Sequence, residues 1–308
     1  MHRWINQLTS TTEKPQLEHT QQEVDDAYDA CARITREAST NFYYAFLTLP
    51  LEKRRAIYAT YAFCRLCDDI VDDPERTGDP ADQLDTLRNQ LDRAYDGAES
   101  GNIWTAIADS QHRFGIEKEH YAAVIDGCKM DLTQSRYETF DELVDYCKKV
   151  ASAVGLVCIE VCGYEDRLAV EYAIDLGLAM QLTNIIRDVR EDAANGRIYL
   201  PMEDLRRFGY SEEDLLAGKV NKNFRELIKF EVQRAHEYFD RGNRLFPLLD
   251  RRSRACPQAM AEVYMRLLDK IEDADYDVMS NRVGLSKRAK ITLAARLWLR
   301  SRLALLRR

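Results

Sequence analysis

From Val24 almost to the end of the chain, apolar residues return at three- and four-residue spacing, and that pattern leaves little choice of fold. A stripe of this period buries itself as one face of a helix, whereas a half-buried strand needs alternation at every second residue, which is absent. Turn formers are scarce, with 13 Gly and 7 Pro in 308 residues, too few for a sheet protein's frequent turns. Breaks fall at Pro50, Pro74–Pro80, Gly97–Gly101, Gly163, Gly196, Pro201, Gly209, Pro247 and Gly284. Between them helices are predicted over 23–37, 40–48, 51–72, 80–96, 100–113, 117–129, 139–162, 166–192, 201–206, 211–217, 221–246, 254–275 and 286–306. No linker or fixed-period repeat divides them. The expectation is an all-α chain, one helical domain over 23–308 preceded by a polar, disordered segment over 1–22.

The most informative stretches are YAFCRLCDDIVDD (61–73) and QLTNIIRDVREDAANGRIYLP (181–201). Each sets two aspartates four residues apart, Asp68 with Asp72 and Asp188 with Asp192, on one face of a helix where unpaired carboxylates repel. At about 100° per residue, Tyr61, Arg65, Asp68 and Asp72 share a narrow arc, as do Gln181, Asn184, Asp188 and Asp192. Ile70, Val71, Ile185, Ile186 and Val189 point elsewhere. Two such stripes facing each other would make an oxygen-rich site suited to Mg²⁺, with substrate phosphate completing the shell. Softer metals want His or Cys, and neither arc carries one. The alternative is a solvated acidic face with Asp–Arg pairs, which one motif alone would not exclude.

Other features bound the function. The net charge of −8 argues against a nucleic-acid partner, but not against phosphate substrates, because bound divalent cations invert the local charge. The eight cysteines include one C-x-x-C, Cys64 and Cys67, without a second to complete a zinc site, and read as free thiols in a reducing cytosol. The five histidines form no pair at metal spacing and are assigned no role. The N-terminus lacks the apolar core of a signal peptide, and no window of 18 residues is apolar throughout, so a cytoplasmic protein is expected. The basic, amphipathic stretch KRAKITLAARLWLRSRLALLRR (287–308) fits a last bundle helix or peripheral contact with an anionic membrane.

These residues resemble the squalene/phytoene synthase family from about Ser39 to Lys290. The second acidic stretch continuing to GRIYLPMEDL is the most specific part. ASTNFYYAFLTLP (38–50), MDLTQSRYETFDELVDYC (130–147) and YMRLLDKIEDADYDV (264–278) add to it. The resemblance implies an all-α isoprenoid-synthase bundle with a central cavity, in which two prenyl diphosphates are joined head to head. It implies Mg²⁺, with Mn²⁺ as a substitute, held by Asp68, Asp69, Asp72, Asn184, Asp188 and Asp192. It implies diphosphate contacts from Ser39, Asn41, Arg65, Arg187 and Arg197. Tyr61, Tyr146, Tyr199 and Tyr264 would be cavity aromatics or hydrogen-bond donors, and Phe42, Phe46, Val150, Val154 and Gln181 cavity lining. Tyr61 and Tyr199, beside the acidic motifs, join the four motif aspartates as candidate catalytic residues.

Details of the resemblance divide. Val150-Ala151-Ser152-Ala153-Val154-Gly155 stands where many members read V-A-G-T-V-G. DDIVDD leans to squalene-type enzymes and FGYSEEDLLAGKV (208–220) to phytoene synthases, so C15 and C20 substrates both stay open. No G-x-G-x-x-G follows a strand, which favours a redox-neutral ending; NADPH is needed only if the product is squalene. The implied reading is phytoene synthesis from two geranylgeranyl diphosphates. The alternatives are squalene, presqualene diphosphate or dehydrosqualene synthesis from two farnesyl diphosphates. A chain-elongating prenyltransferase or terpene cyclase is less favoured, because the second motif reads N-x-x-x-D-x-x-x-D. A helical scaffold with decorative acids is the non-enzymatic rival. Oligomeric state is left open.

Overall fold

The computed structural model describes residues 19–38, 40–73, 77–286 and parts of 288–299, with the side chains of residues 40 and 41 excepted. The first half runs α1 (Gln21–Ala38), α2 (Thr40–Phe46), α3 (Leu51–Asp72), α4 (Pro80–Tyr95), α5 (Asn102–Phe114), α6 (Lys118–Thr133) and α7 (Phe140–Cys147). A π-helical turn, Lys148–Ser152, joins α7 to α8 (Ala153–Cys162). Then come α9 (Leu168–Ala194), α10 (Met202–Arg207), α11 (Glu212–Leu216), α12 (Lys222–Gly242), a 3₁₀ turn (Asn243–Leu248) and α13 (Ala255–Asp273). Among the described residues the only β pairing is two isolated bridges. The expected all-α class holds.

Local chemistry sets many of the ends. Asp79 caps α4 through Ala81 N (2.8 Å), with Pro80 at the first helical position. Thr139, Ser211 and Asn221 cap α7, α11 and α12. Gly115 ends α5 in the left-handed conformation (φ 68°). The helix predicted over 139–162 is interrupted by the π turn, and the one over 221–246 stops at Gly242, tightening to 3₁₀ around Pro247. The helix predicted over 286–306 leaves out residue 286 and is helical at the described residues from 288 to 299, with Leu293 buried and Ile291, Trp298 and Leu299 exposed. Residues 1–18 of the segment expected to be disordered lie outside the described residues.

Two long helices carry the acidic motifs. α9, 27 residues and about 40 Å long, is the central post, packed by α12, α8, α13 and the π turn. α3 packs on α1, α5, α6 and α8. α3 and α9 share no extensive interface with each other; both lean on α8, which spaces them apart. Glycine permits the tight approach to the π turn: a Cβ on Gly177 would lie 2.6 Å from Ser152 Cα, and one on Gly127 would lie 2.4 Å from Val150 Cγ1. π turns inside α-helices occur disproportionately at functional sites, and this one, Lys148–Ser152, overlaps the segment 150–155 singled out in the sequence.

A buried charge knot holds the far side. Arg234 of α12 pairs with Glu231 and with Asp204 of α10, each at 2.8 Å, and stacks 3.8 Å from the Phe140 ring centroid. Burial among acids pushes Glu231 up to about 8. The knot locks α10 beneath the loop 195–201, which main-chain bonds also lace to 134–138: Ile198 N to Ser135 O (2.9 Å) and Met202 N to Tyr137 O (2.9 Å).

Candidate active site

The loop after α9 closes the distance between the motifs. Its Arg197 Nη1 donates to Asp72 Oδ1 on α3 at 3.0 Å, so the tips of the two acidic helices are bridged by one guanidinium. Asp68 is exposed to solvent along one side yet enclosed by protein, the environment of a carboxylate in a concave wall. That enclosure, opposed in part by Arg65 and reinforced by Asp72, Asp69 and Asp131, pushes it up to about 7. On the opposite wall burial and then Asp188 push Asp192 up to about 7, with Arg197 pulling the other way. Asp188 lies between two guanidinium groups. Arg187 clamps it with both nitrogens, Nε at 2.9 Å, and Arg282 reaches it at 3.1 Å while holding Glu191 at 3.2 Å.

The sequence-derived candidates fall into three groups. Phe42, Phe46 and Tyr61 form one aromatic wall, their ring centroids 5.6–6.3 Å apart, and Phe46 continues onto Tyr58 at 6.0 Å. Gln181 accepts from Asn184 at 3.3 Å, and Asn184 and Arg187 both act on buried Tyr264. Tyr146 and Tyr199 are stacked, 5.3 Å between centroids, and both donate to Asp131, at 3.0 and 2.8 Å. Arg65 shares an arc with Asp68 but takes Asp69 as its partner, at 2.5 Å. Val150 and Val154 are half-buried on the π turn and α8; Val150 packs over Gly127 on α6 rather than on a carboxylate. Ser39, and the side chain of Asn41, lie outside the described residues.

Three residues join the site that the sequence reading passed over. Asp131, near the end of α6, interacts with acids from both walls, Asp68 and Asp72 on α3 and Asp192 on α9. Its signal was readable: it continues the buried stripe of Val124 and Cys128 at positions where an apolar residue is expected. Tyr137 stacks on Tyr146 and Tyr199, and its fully buried hydroxyl has no hydrogen-bond partner among the described residues. Arg282 comes from the irregular segment after α13, where no periodicity marks it. The histidines stay outside the site, though His120 lies 3.1 Å from Glu160 and ties α6 to α8.

Thiols line the base of the acidic wall on α3. Cys64, Cys67, Cys128 and Cys158 influence one another, and Cys64 and Cys67 also feel Asp68. Burial pushes Cys158 up to about 12 and Cys64 and Cys67 well above the ordinary thiol range.

The donor set fits a hard divalent cation: carboxylate and amide oxygens from two helices, two of the acids driven up by burial and by their acidic neighbours. Arginines stand ready for a phosphate-bearing substrate, and an aromatic wall adjoins α3. A helical bundle with such a site defines a prenyltransferase of the all-α isoprenoid-synthase type. The squalene/phytoene synthase family model matches residues 35–294. The chain is 38% identical to the 15-cis-phytoene synthase of Synechocystis sp. over 290 residues, covering 90% of this chain and 86% of that protein. It is 39% identical to the phytoene synthase of Arthrospira platensis over 270 residues, 83% and 87% of the two chains. A crystal structure of a dehydrosqualene synthase superposes with a TM-score of 0.83 at 30% identity, over 91% of this chain and 99% of that one. The chain therefore belongs to the squalene/phytoene synthase family.

Proposed function

We propose that this protein couples two geranylgeranyl diphosphates head to head, through prephytoene diphosphate, to phytoene. The observation that supports the coupling chemistry is the Arg197–Asp72 contact, which ties the loop following the second acidic motif to the first motif. The C20 substrate is supported by the phytoene synthases at 38–39% identity. A second reading, farnesyl coupling to dehydrosqualene or squalene, is favoured by the likeness to the dehydrosqualene synthase structure; only squalene would require NADPH.

In this reading Asp68, Asp72, Asp188, Asp192 and Asn184, with Asp69 alongside, would hold Mg²⁺, or Mn²⁺ in its place. The ions would supply charge neutralisation for the leaving diphosphate. Arg65, Arg187, Arg197 and Arg282 donate to the diphosphate oxygens and orient the group; each now pairs with a carboxylate that the ions would occupy. Departure of diphosphate leaves an allylic cation, which alkylates the double bond of the second substrate. Phe42, Phe46 and Tyr61 offer ring faces worth about 0.5–2 kcal/mol each to that cation and keep water away from it. Val150, Val154 and Gln181 line the hydrocarbon channel, and Tyr264 braces Asn184.

We place the enzyme in the cytoplasm, with the exposed Ile291, Trp298 and Leu299 among basic residues suited to peripheral membrane contact. Among the described residues no helix is long and apolar enough to cross a membrane. Incubation with Mg²⁺ and either C15 or C20 diphosphate, with and without NADPH, tests the proposal. Phytoene from the C20 substrate without NADPH is expected; hydrocarbon from the C15 substrate alone would select the second reading, and no diphosphate release from either would leave the scaffold.

A further inference from the structure

Asp131 belongs to neither acidic motif, yet it is the point where the two walls of the site meet electrostatically. Its two oxygens are divided between two phenols: Tyr199 donates to Oδ1 at 2.8 Å and Tyr146 to Oδ2 at 3.0 Å. A phenol has one proton. Once that proton is committed to Asp131, the phenol oxygen has only lone pairs to offer anything else. The rings are fixed in this pose. Tyr146 and Tyr199 stack at 5.3 Å and 24°, and Tyr137 covers both at 5.4 and 5.9 Å. The loop carrying Tyr199 is laced to 134–138 by main-chain hydrogen bonds. Tyr146 is buried, whereas Tyr199 keeps part of its surface open.

We propose that Asp131 is the positioning residue that turns the hydroxyl protons of Tyr146 and Tyr199 toward itself, so that Tyr199 meets the hydrocarbon cation as a proton acceptor, and that Asp131 stores the proton shed. The inference rests on the coupling reaction proposed above. In the step, a C–H bond beside the cationic carbon breaks and its electron pair becomes the π bond of the product's new carbon–carbon double bond. The proton passes to Tyr199 Oη as that phenol's own proton crosses the 2.8 Å hydrogen bond to Asp131 Oδ1. The cation becomes neutral and the carboxylate becomes a carboxylic acid, so atoms and charge balance without an oxidant. Tyr146, on the other oxygen, is the brace that keeps the carboxylate from rotating. Tyr199 thus acts as an acceptor toward the cation while donating to Asp131.

Asp131→Asn tests this with unchanged volume. An amide has one acceptor oxygen, so one phenol must turn round and accept from Nδ2. The wild-type protein is assayed alongside with C15 and C20 diphosphates; if it couples neither, the coupling reading fails before this one is addressed. Where wild type couples, D131N is expected to keep KM within about twofold and lose roughly 10²–10³ in kcat, the usual scale for a lost proton-transfer partner. More turnovers should end in water-quenched alcohols. Tyr199→Phe should match that loss, and the double variant D131N/Y199F should be no slower than either single one. D131N retaining more than a third of kcat, a loss confined to KM, or additive losses in the double variant would overturn the inference. If D131N does not fold, Y199F decides: unchanged kcat and products overturn it, and a kcat loss with alcohol by-products at constant KM upholds it.

Discussion

If Asp68 and Asp192 hold the ions as proposed, metal binding should release protons. Asp68 and Asp192, on opposite walls, are each pushed up to about 7, and a coordinating carboxylate must be ionised. At pH 7 each is about half protonated, so loading the site expels about one proton in all, rising to about 1.8 at pH 6 and falling to about 0.2 at pH 8. Apparent affinity should drop about tenfold per group from pH 8 to pH 6. Because Asp68 is partly open to solvent, its share is screened, and an overall drop of roughly 10- to 100-fold is expected. The assay is calorimetric titration with Mg²⁺ or Mn²⁺ alone, in buffers of different ionisation heat at pH 6, 7 and 8. The sign for folding is opposite in the metal-free protein. A raised carboxylate means that the folded state holds more protons than the unfolded one between about pH 4 and 7. Stability without ions therefore falls as pH rises through that window, and added Mg²⁺ restores it at pH 8. A binding heat independent of buffer at pH 7, or a release that grows with pH, would refute the reasoning.

Other changes probe other parts of the molecule. Gly177→Ala drives a methyl group into the backbone of the π turn at 2.6 Å; such overpacking costs about 1–3 kcal/mol, seen as a melting temperature lower by roughly 2–10 °C. Arg234→Met strands buried Glu231 and Asp204 and should cost about 3–5 kcal/mol by denaturant titration. Since Glu231 is pushed up to about 8, that loss should be smaller at pH 5, where the acid is protonated, than at pH 9. Arg282→Ala removes a side chain that is 57% exposed, so melting should stay unchanged while KM for the diphosphate rises about 3- to 10-fold from the lost charged contact.

The sequence announced what is local. Asp68/Asp72 and Asp188/Asp192 could be found because a four-residue interval on a helix has one geometric meaning, and α3 and α9 keep that interval. Chain reversals and distant partners were less legible. The segment 139–162 has uninterrupted helical periodicity, so nothing local foretold a π turn at Lys148–Ser152; it arises where Gly127 and Gly177 let α6 and α9 press in. Arg65 was grouped with Asp68 by its arc, but the i,i+4 rule on the neighbouring arc delivers it to Asp69. Arg282 reaches Asp188 from 94 positions downstream (282 − 188) in an irregular segment, where pattern has no purchase. Asp131 could have been noticed as an acid on an apolar stripe, but its meaning depends on Tyr146 and Tyr199, which only folding brings to it.

The sulfur-bearing patch beside Asp68 has a chemical consequence. An enzyme that generates allylic electrophiles must surround them with groups that do not alkylate themselves, and a thiolate is among the most nucleophilic side chains a protein owns. With Cys158 titrating near 12, about one molecule in 10⁵ carries that thiolate at neutral pH. The same burial that makes Cys64, Cys67 and Cys158 look like plain core filling keeps the sulfur beside Asp68 in its unreactive, protonated form.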